Sequence, residues 1–319
     1  AEVDGGSIVR SAKRTEITDL GQGVDATGLL SDEAIDRVIG ACASFVDEIS
    51  AFEPDAVCCT LTSAARDAEN ARELGAALDS LGLDPLIIPG EVEGALTFLG
   101  VAQDFRGRRL LVADNGGGST ELARGSLGED GTFELAFVRS VDVGCRRVTE
   151  KFLASEGPAS KDELAAAHAF VAHAFAPVVE EGGLWAAGSG RAVADAPELL
   201  VVCGGTVTSL VAIDKGLEPY DSSKVHLCAL PRERVEALEA RLAALTVEER
   251  AALPGLQTKR APVMLGGAVA VSELMRQTGF ESLTASESDL LFGLALAAAA
   301  TLSGTESPVG WKPTMRPLR

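Results

Sequence analysis

Apolar positions in this chain fall into two periods, one helical and one strand-like, and the two alternate along its length. After Ser31, apolar residues recur at Ile35, Val38, Ile39, Cys42, Phe45, Val46 and Ile49, the spacing of a single helix face, and Ser31 supplies a capping oxygen. Residues 56–61 then read as a buried strand, 67–81 as a second helix closed by Gly82, and 86–88 as another short strand. A helix-like segment at 92–105 leads into an apolar strand at 110–113. Glu129-Asp130-Gly131 reads as a hairpin turn, with 133–141 as its return strand. Helices are predicted at about 146–154 and 161–179, and the Gly- and Ala-rich stretch 182–197 is a loop. Residues 199–203 form an apolar strand that runs through Gly204-Gly205-Thr206 directly into a helix. A pair of charged, Leu-rich helices spans 231–253 and another helix 261–278; Ser286 with Asp289 resembles a capping box opening the helix from Leu290. Alternating strands and helices predict an α/β fold with parallel pairing.

At 319 residues, 46% hydrophobic and 24% charged, the chain is long enough for two domains with sizeable cores. Its net charge of −19 and pI near 4.6 argue against general nucleic-acid binding, which needs a basic face. Any phosphate site must therefore be locally positive. The candidate cations are Arg66, Arg106, Arg108, Arg109, Arg146, Arg147, Lys259 and Arg260. Six cysteines without C-x-x-C spacing, several in apolar runs, point to a reducing cytoplasm. No signal-like N-terminal segment is legible, and the longest apolar run, 290–302, is too short to span a bilayer.

Two glycine turns carry the candidate chemistry. Residues 114–121 read D-N-G-G-G-S-T-E between two strand-like segments. Gly116, Gly117 and Gly118 lack a Cβ, so consecutive amides can turn toward one anion, with Asn115 beside them and Ser119 and Thr120 adding hydroxyls. Asp114, at the strand end, is placed to hold a hydrated divalent cation. A tight glycine turn without a ligand explains the same residues. Gly204, Gly205 and Thr206 open a helix whose unpaired amides favour an anion, and a plain strand-to-helix turn is again the alternative. His168 and His173, five apart on a helix, point roughly 140° apart and do not make a metal pair.

The ordered motifs resemble one family. T-S-A-A-R-D-A-E-N at 62–70, G-E-V-E-G-A-L-T-F-L-G-V at 90–101, D-N-G-G-G-S-T-E-L at 114–122, R-R-V-T-E-K-F at 146–152, C-G-G-T-V-T-S-L at 203–210 and Val225-His226 resemble the exopolyphosphatase and guanosine pentaphosphate phosphohydrolase (Ppx/GppA) family. The resemblance implies an actin-like, sugar-kinase-like and Hsp70-like fold, two ribonuclease-H-like domains around a cleft, with magnesium as cofactor. It divides the chain into residues 1–106, residues 107–302 with a helix at about 288–302 returning toward the first domain, and a disordered tail at 303–319. Glu93 takes the family's catalytic position, to orient or deprotonate water, although acids in a first helical turn are common in any protein. Glu121, on the same side of its strand as Ser119, is a second catalytic candidate or a half-exposed strand acid. Arg66 is the best candidate phosphate cation, with a salt bridge across the Ala65-Arg66-Asp67 turn as the competing explanation.

Family members ordinarily begin with a D-I-G-T-N-S strand and loop. This sequence starts at the following turn, at Ala1-Glu2-Val3-Asp4-Gly5-Gly6, so a gap beside the 56–61 strand and low activity of the chain as written are expected. The leading function is hydrolysis of the terminal phosphoanhydride of polyphosphate, with guanosine pentaphosphate as the second substrate candidate. A kinase or ATPase of the same fold, or a sensor that binds without turnover, are the alternatives. Dimers are common among relatives, but no dimer interface is legible.

Overall fold

The computed structural model describes residues 1–191 and 195–317. The chain opens with a hairpin, β1 (Glu2–Asp4) and β2 (Ser7–Arg10), followed by α1 (Val24–Thr27) and α2 (Asp32–Ser50). Next come β3 (Cys59–Leu61), α3 (Ser63–Asp67), α4 (Ala71–Ser80), β4 (Pro85–Ile87) and α5 (Gly90–Ala102). A three-stranded meander follows, β5 (Arg109–Asn115), β6 (Thr120–Leu127) and β7 (Phe133–Val141), then α6 (Cys145–Phe152) and α7 (Lys161–Gly182). The rest is β8 (Leu199–Cys203), α8 (Gly205–Lys215), α9 (Ser222–Val225), β9 (Ala229–Pro231), α10 (Arg232–Ala243) and α11 (Val247–Ala251), closed by α12 (Met264–Thr278), β10 (Ser282–Ala285) and α13 (Leu290–Leu302).

The predicted α/β class is the observed one. The main sheet runs β7-β6-β5-β8-β10-β9, parallel at β5–β8 and β8–β10 and antiparallel elsewhere. One face packs on α6, α7, α8, α10 and α12 through a core that includes Leu111, Leu122, Phe175, Leu200 and Met275. The other face takes Phe98, Val101 and Ala102 of α5. A separate small core, built from α2, α3 and α4 around Leu74 and Leu78, makes the first lobe. There β3 and β4 pair in parallel, and the β1–β2 hairpin pairs with neither of them among the described residues.

Several expectations need correction. The boundary at 106 assigns α5 to the first unit, yet α5 lies on the second sheet because its apolar residues run all around the helix, and such a helix is buried on two sides. Its other side meets α13. The two helices touch at glycines: a Cβ on Gly293 would stand 1.8 Å from Leu96 O, and one on Gly100 would stand 2.4 Å from Asp289 O. The expected 67–81 helix starts only at Ala71, just after α3 ends at Asp67, because Asn70 leaves the helical path to exchange hydrogen bonds with the Leu30 backbone at 2.8 and 3.0 Å. Asp289, not Ser286, caps α13 by accepting from the Leu291 amide at 2.9 Å, while Ser286 Oγ donates to Ser288 O.

Residues 303–317 also depart from the expected disorder. Val57 and Arg316 exchange backbone hydrogen bonds at 2.8 and 3.1 Å, and Arg316 pairs with Asp79 and Asp84. Val309 and Trp311 cover the junction where Ile88, Leu96, Leu294 and Ala297 meet. Proline bars a regular helix but not this extended docking. Residues 318–319 lie outside the described residues, as do 192–194 of the expected 182–197 loop.

Candidate active site

The glycine hairpin between β5 and β6 is shaped from behind by the start of α6. The Cys145 amide donates to Gly116 O at 2.9 Å, the Arg146 and Arg147 amides to Gly117 O at 2.9 and 3.2 Å, and Arg147 Nε to Gly118 O at 2.7 Å. In a trans peptide the carbonyl of one residue and the amide of the next point in opposite directions. Holding three successive carbonyls on one side therefore sends the amides of Gly117, Gly118 and Ser119 to the other. Those three amides meet no acceptor among the described residues. The approach needs Gly144, where a Cβ would stand 2.3 Å from Gly117 O.

Not every residue of the motif faces the anion side. Thr120, 1% exposed, donates its hydroxyl to Val143 O at 2.5 Å and accepts from Asn115 Nδ2 at 2.9 Å. Both side chains brace the base of the hairpin, which corrects their expected role as phosphate contacts. The reason is strand alternation: Asn115 and Thr120 are register partners with one facing, Asp114 and Glu121 with the other.

That other facing gathers the acids. Glu93, 7% exposed in the first turn of α5, accepts from Arg66 Nη1 at 2.7 Å. Glu121, 2% exposed, accepts from Ser119 Oγ at 2.7 Å and Ser140 Oγ at 2.6 Å, with Arg66 Nη2 at 3.7 Å. Arg66 is thus shared between two glutamates and donates to Ile88 O at 3.0 Å; its partner is not Asp67. Burial pushes the Glu93 and Glu121 carboxyls well above the ordinary range, and Arg66 offsets part of that. Asp114 is pushed up to about 7, first by burial and then by the charges of Glu121 and Asp289, with only Thr97 Oγ1 at 3.3 Å and the Cys203 thiol opposing.

The loop amides and Glu93 open onto one cleft of about 280 Å³, shared with Ser63, Arg146, Arg147, Gly205, Thr206 and Arg260. Gly204 has a φ of 97°, which only glycine adopts freely, and it turns the chain into α8. The Arg260 guanidinium lies over Gly205, where a Cβ would stand 1.4 Å from Nη1. Arg260 makes no ion pair among the described residues; its Nε donates to Gln257 Oε1 at 3.2 Å. Among the described residues it is the cation lining the cleft that has no ion-pair partner, and its place among the eight candidate cations of the sequence gives no sign of that. Ser140 lies opposite Glu121 only because the β6–β7 register shifts by one between Arg124 and Gly125; a plain count from the Glu129 turn lands on Arg139, so no signal in the sequence singles Ser140 out.

Three histidines stay out of the cleft chemistry. His168 bridges Glu239 at 2.8 Å and Glu273 at 3.3 Å, across three helices of the second lobe. His226 Nδ1 accepts from the Glu287 amide at 3.2 Å, which ties α9 to the loop before α13. His173 is exposed on α7.

The chain is similar to several known proteins. Residues 1–298 match the Ppx/GppA phosphatase family. The chain is 35% identical over 301 residues to exopolyphosphatase 2 of Mycobacterium tuberculosis, covering 90% of this chain and 88% of that protein. It is 28% identical over 311 residues to the bifunctional 3-dehydroquinate synthase/phosphatase of Fusobacterium nucleatum, covering 92% of this chain and 42% of that longer protein. Among solved structures, an exopolyphosphatase-like protein superposes with a TM-score of 0.83 at 30% identity, covering 92% of this chain and 91% of that one. A Ppx/GppA family member of Aquifex aeolicus superposes with a TM-score of 0.74 at 26% identity, covering 96% and 93%. The fold is shared with these solved structures, and the chain belongs to the Ppx/GppA phosphatase family.

Proposed function

We propose that the protein is a magnesium-dependent exopolyphosphatase that removes terminal phosphate from inorganic polyphosphate. The observation that carries this reading is the pairing, in one cleft, of three unpaired loop amides with a buried carboxylate of raised pKa. The amides of Gly117, Gly118 and Ser119 hold the non-bridging oxygens of the terminal phosphate, where preorganised donors stabilise developing charge. A water oxygen attacks that phosphorus, the bridging P–O bond breaks, and Glu93 takes the water's proton. Glu121 orients the Ser119 hydroxyl, Arg66 favours the charged form of the two glutamates against burial, and Arg260 faces the next phosphate.

Asp114 suits a magnesium ion: it is a buried carboxylate with no ion-pair partner among the described residues, and its charge, disfavoured by burial and by Glu121 and Asp289, would be offset by a divalent cation. Magnesium is commonly held by one or two carboxylates with phosphate oxygens and waters, and at Asp114 it would neutralise charge on the substrate. No three His, Cys, Asp or Glu side chains converge on a metal among the described residues, as such a shared site requires none.

Guanosine pentaphosphate is the second substrate candidate. A cavity of about 160 Å³ continues past Arg260 between Thr208, Tyr220 and Glu287, with room for further phosphates or part of a nucleoside. Phosphate release from long-chain polyphosphate and from guanosine pentaphosphate, each with magnesium and with chelator, tests the reading. Magnesium-dependent release from polyphosphate is expected. Calorimetric binding of polyphosphate without release would replace it with a sensor.

A further inference from the structure

Arg147 stands between the phosphate loop and the first lobe. Its Nε donates to Gly118 O at 2.7 Å, while its two terminal nitrogens meet Asp25 of α1 and, at 2.5 Å, Asp67 of α3. Asp142 of its own lobe lies at 3.9 Å. The side chain is 13% exposed, so these contacts are only partly screened by water. Around it the same helix face meets the same lobe: Lys151 pairs with Asp25 at 3.1 Å, Arg146 pairs with Asp19, and Glu150 accepts from the Gly23 amide at 3.2 Å.

The guanidinium is therefore divided three ways within one plane. Only an arginine fork spans a carbonyl and two carboxylates in fixed directions; a lysine ammonium supplies the charge without the geometry. Because Asp25 and Asp67 both belong to the first lobe, a separation of the lobes would remove them together and leave Arg147 against Asp142. The fork is then free to rotate toward Asp142, and the Gly118 carbonyl loses the donor that turns the Ser119 amide into the cleft.

We propose that Arg147 is a positioning residue that couples the seating of the first lobe to the shape of the phosphate loop. The loop holds its anion-ready form when Asp25 and Asp67 are docked on Arg147, and relaxes when they are not. The proposal rests on reading the loop as the phosphate site.

The test uses the whole chain in three variants, Arg147→Lys, Asp25→Asn with Asp67→Asn, and all three substitutions together. Small-angle X-ray scattering of the substrate-free protein reads lobe seating, calorimetry with tripolyphosphate reads the loop, and kcat and KM on polyphosphate read turnover. Both Arg147→Lys and the double asparagine variant should enlarge the radius of gyration and weaken tripolyphosphate binding about tenfold or more, because misplacement of about 1 Å costs on that order or beyond. The triple variant should be no worse than Arg147→Lys, since all three residues act through one contact. The kinetic loss should appear in kcat as well as KM. Unchanged scattering and binding in the double asparagine variant overturns the proposal, as does strict additivity in the triple variant. Scattering and tripolyphosphate binding do not require turnover, so a wild-type protein that binds but never hydrolyses defeats the exopolyphosphatase reading and leaves this test intact.

Discussion

Glu93 and Glu121 share one counter-charge: the Arg66 guanidinium lies 2.7 Å from the first and 3.7 Å from the second. Two buried acids and one cation leave an excess of negative charge, which is why burial wins and both carboxyls rise despite Arg66. If Glu93 accepts the water's proton it must be ionised, so activity rises with pH through its raised pKa. The acid limb of kcat is expected nearer neutrality than the ordinary carboxylate range. Arg66 favours the charged form, so Arg66→Gln should move that limb to still higher pH. A limb near pH 4.5 in the wild-type protein would exclude Glu93 as the titrating base.

Asp114 offers a second check through its cation. With no ion-pair partner among the described residues and a carboxyl pushed up to about 7, it would gain from a bound divalent ion. Asp114→Asn should raise the magnesium concentration for half-maximal activity by about 10–100-fold. Titration of activity against magnesium measures this, and an unshifted midpoint would remove Asp114 from the metal site.

The crossing of α5 and α13 sets where Glu93 stands, and it depends on glycine. A Cβ at residue 293 would meet the Leu96 carbonyl, which is backbone and cannot swing aside. Gly293→Ala should destabilise the fold by about 1–3 kcal/mol as the helices are forced apart. Denaturant unfolding gives the value; a change within a few tenths would contradict so tight a crossing.

His168 predicts a pH window for stability. Its hydrogen bonds to Glu239 and Glu273 raise its pKa to about 9, against partial opposition from burial and Arg276, while the Glu273 carboxyl is held below its ordinary value. The imidazolium's contribution is fully present below its unfolded pKa near 6.5 and fades as pH rises through 9. His168→Gln should therefore cost stability at pH 6 and little at pH 10. Equal costs at both would mean that packing, not charge, holds the three helices.

Much of this was legible in the residues. The D-N-G-G-G-S-T-E hairpin, the Glu93 helix start and the Gly204-Gly205 turn all lie where the motifs placed them, because glycine between apolar strands leaves few alternatives. What misled was direction and distance. Thr120 reads as a donor in sequence, but strand alternation sends it to Val143. Arg66 looks paired with Asp67 one residue away, yet the helix carries it to Glu93, twenty-seven residues on. Arg147 was one cation among eight, since its partners Asp25, Asp67 and Gly118 are far apart in the chain. The all-round apolar character of α5 marks it as buried but does not say which layers it separates, and nothing in the apolar pattern marks Val309 and Trp311 as the anchor of the proline-rich end.

The account turns on Glu93 acting on water while the loop amides hold phosphate. Glu93→Gln keeps size and leaves the loop intact, so it separates binding from proton transfer. Single-turnover phosphate release from polyphosphate with magnesium should fall by about 10²–10⁴-fold while polyphosphate binding changes little. Release at the wild-type rate by a folded Glu93→Gln protein would contradict the account.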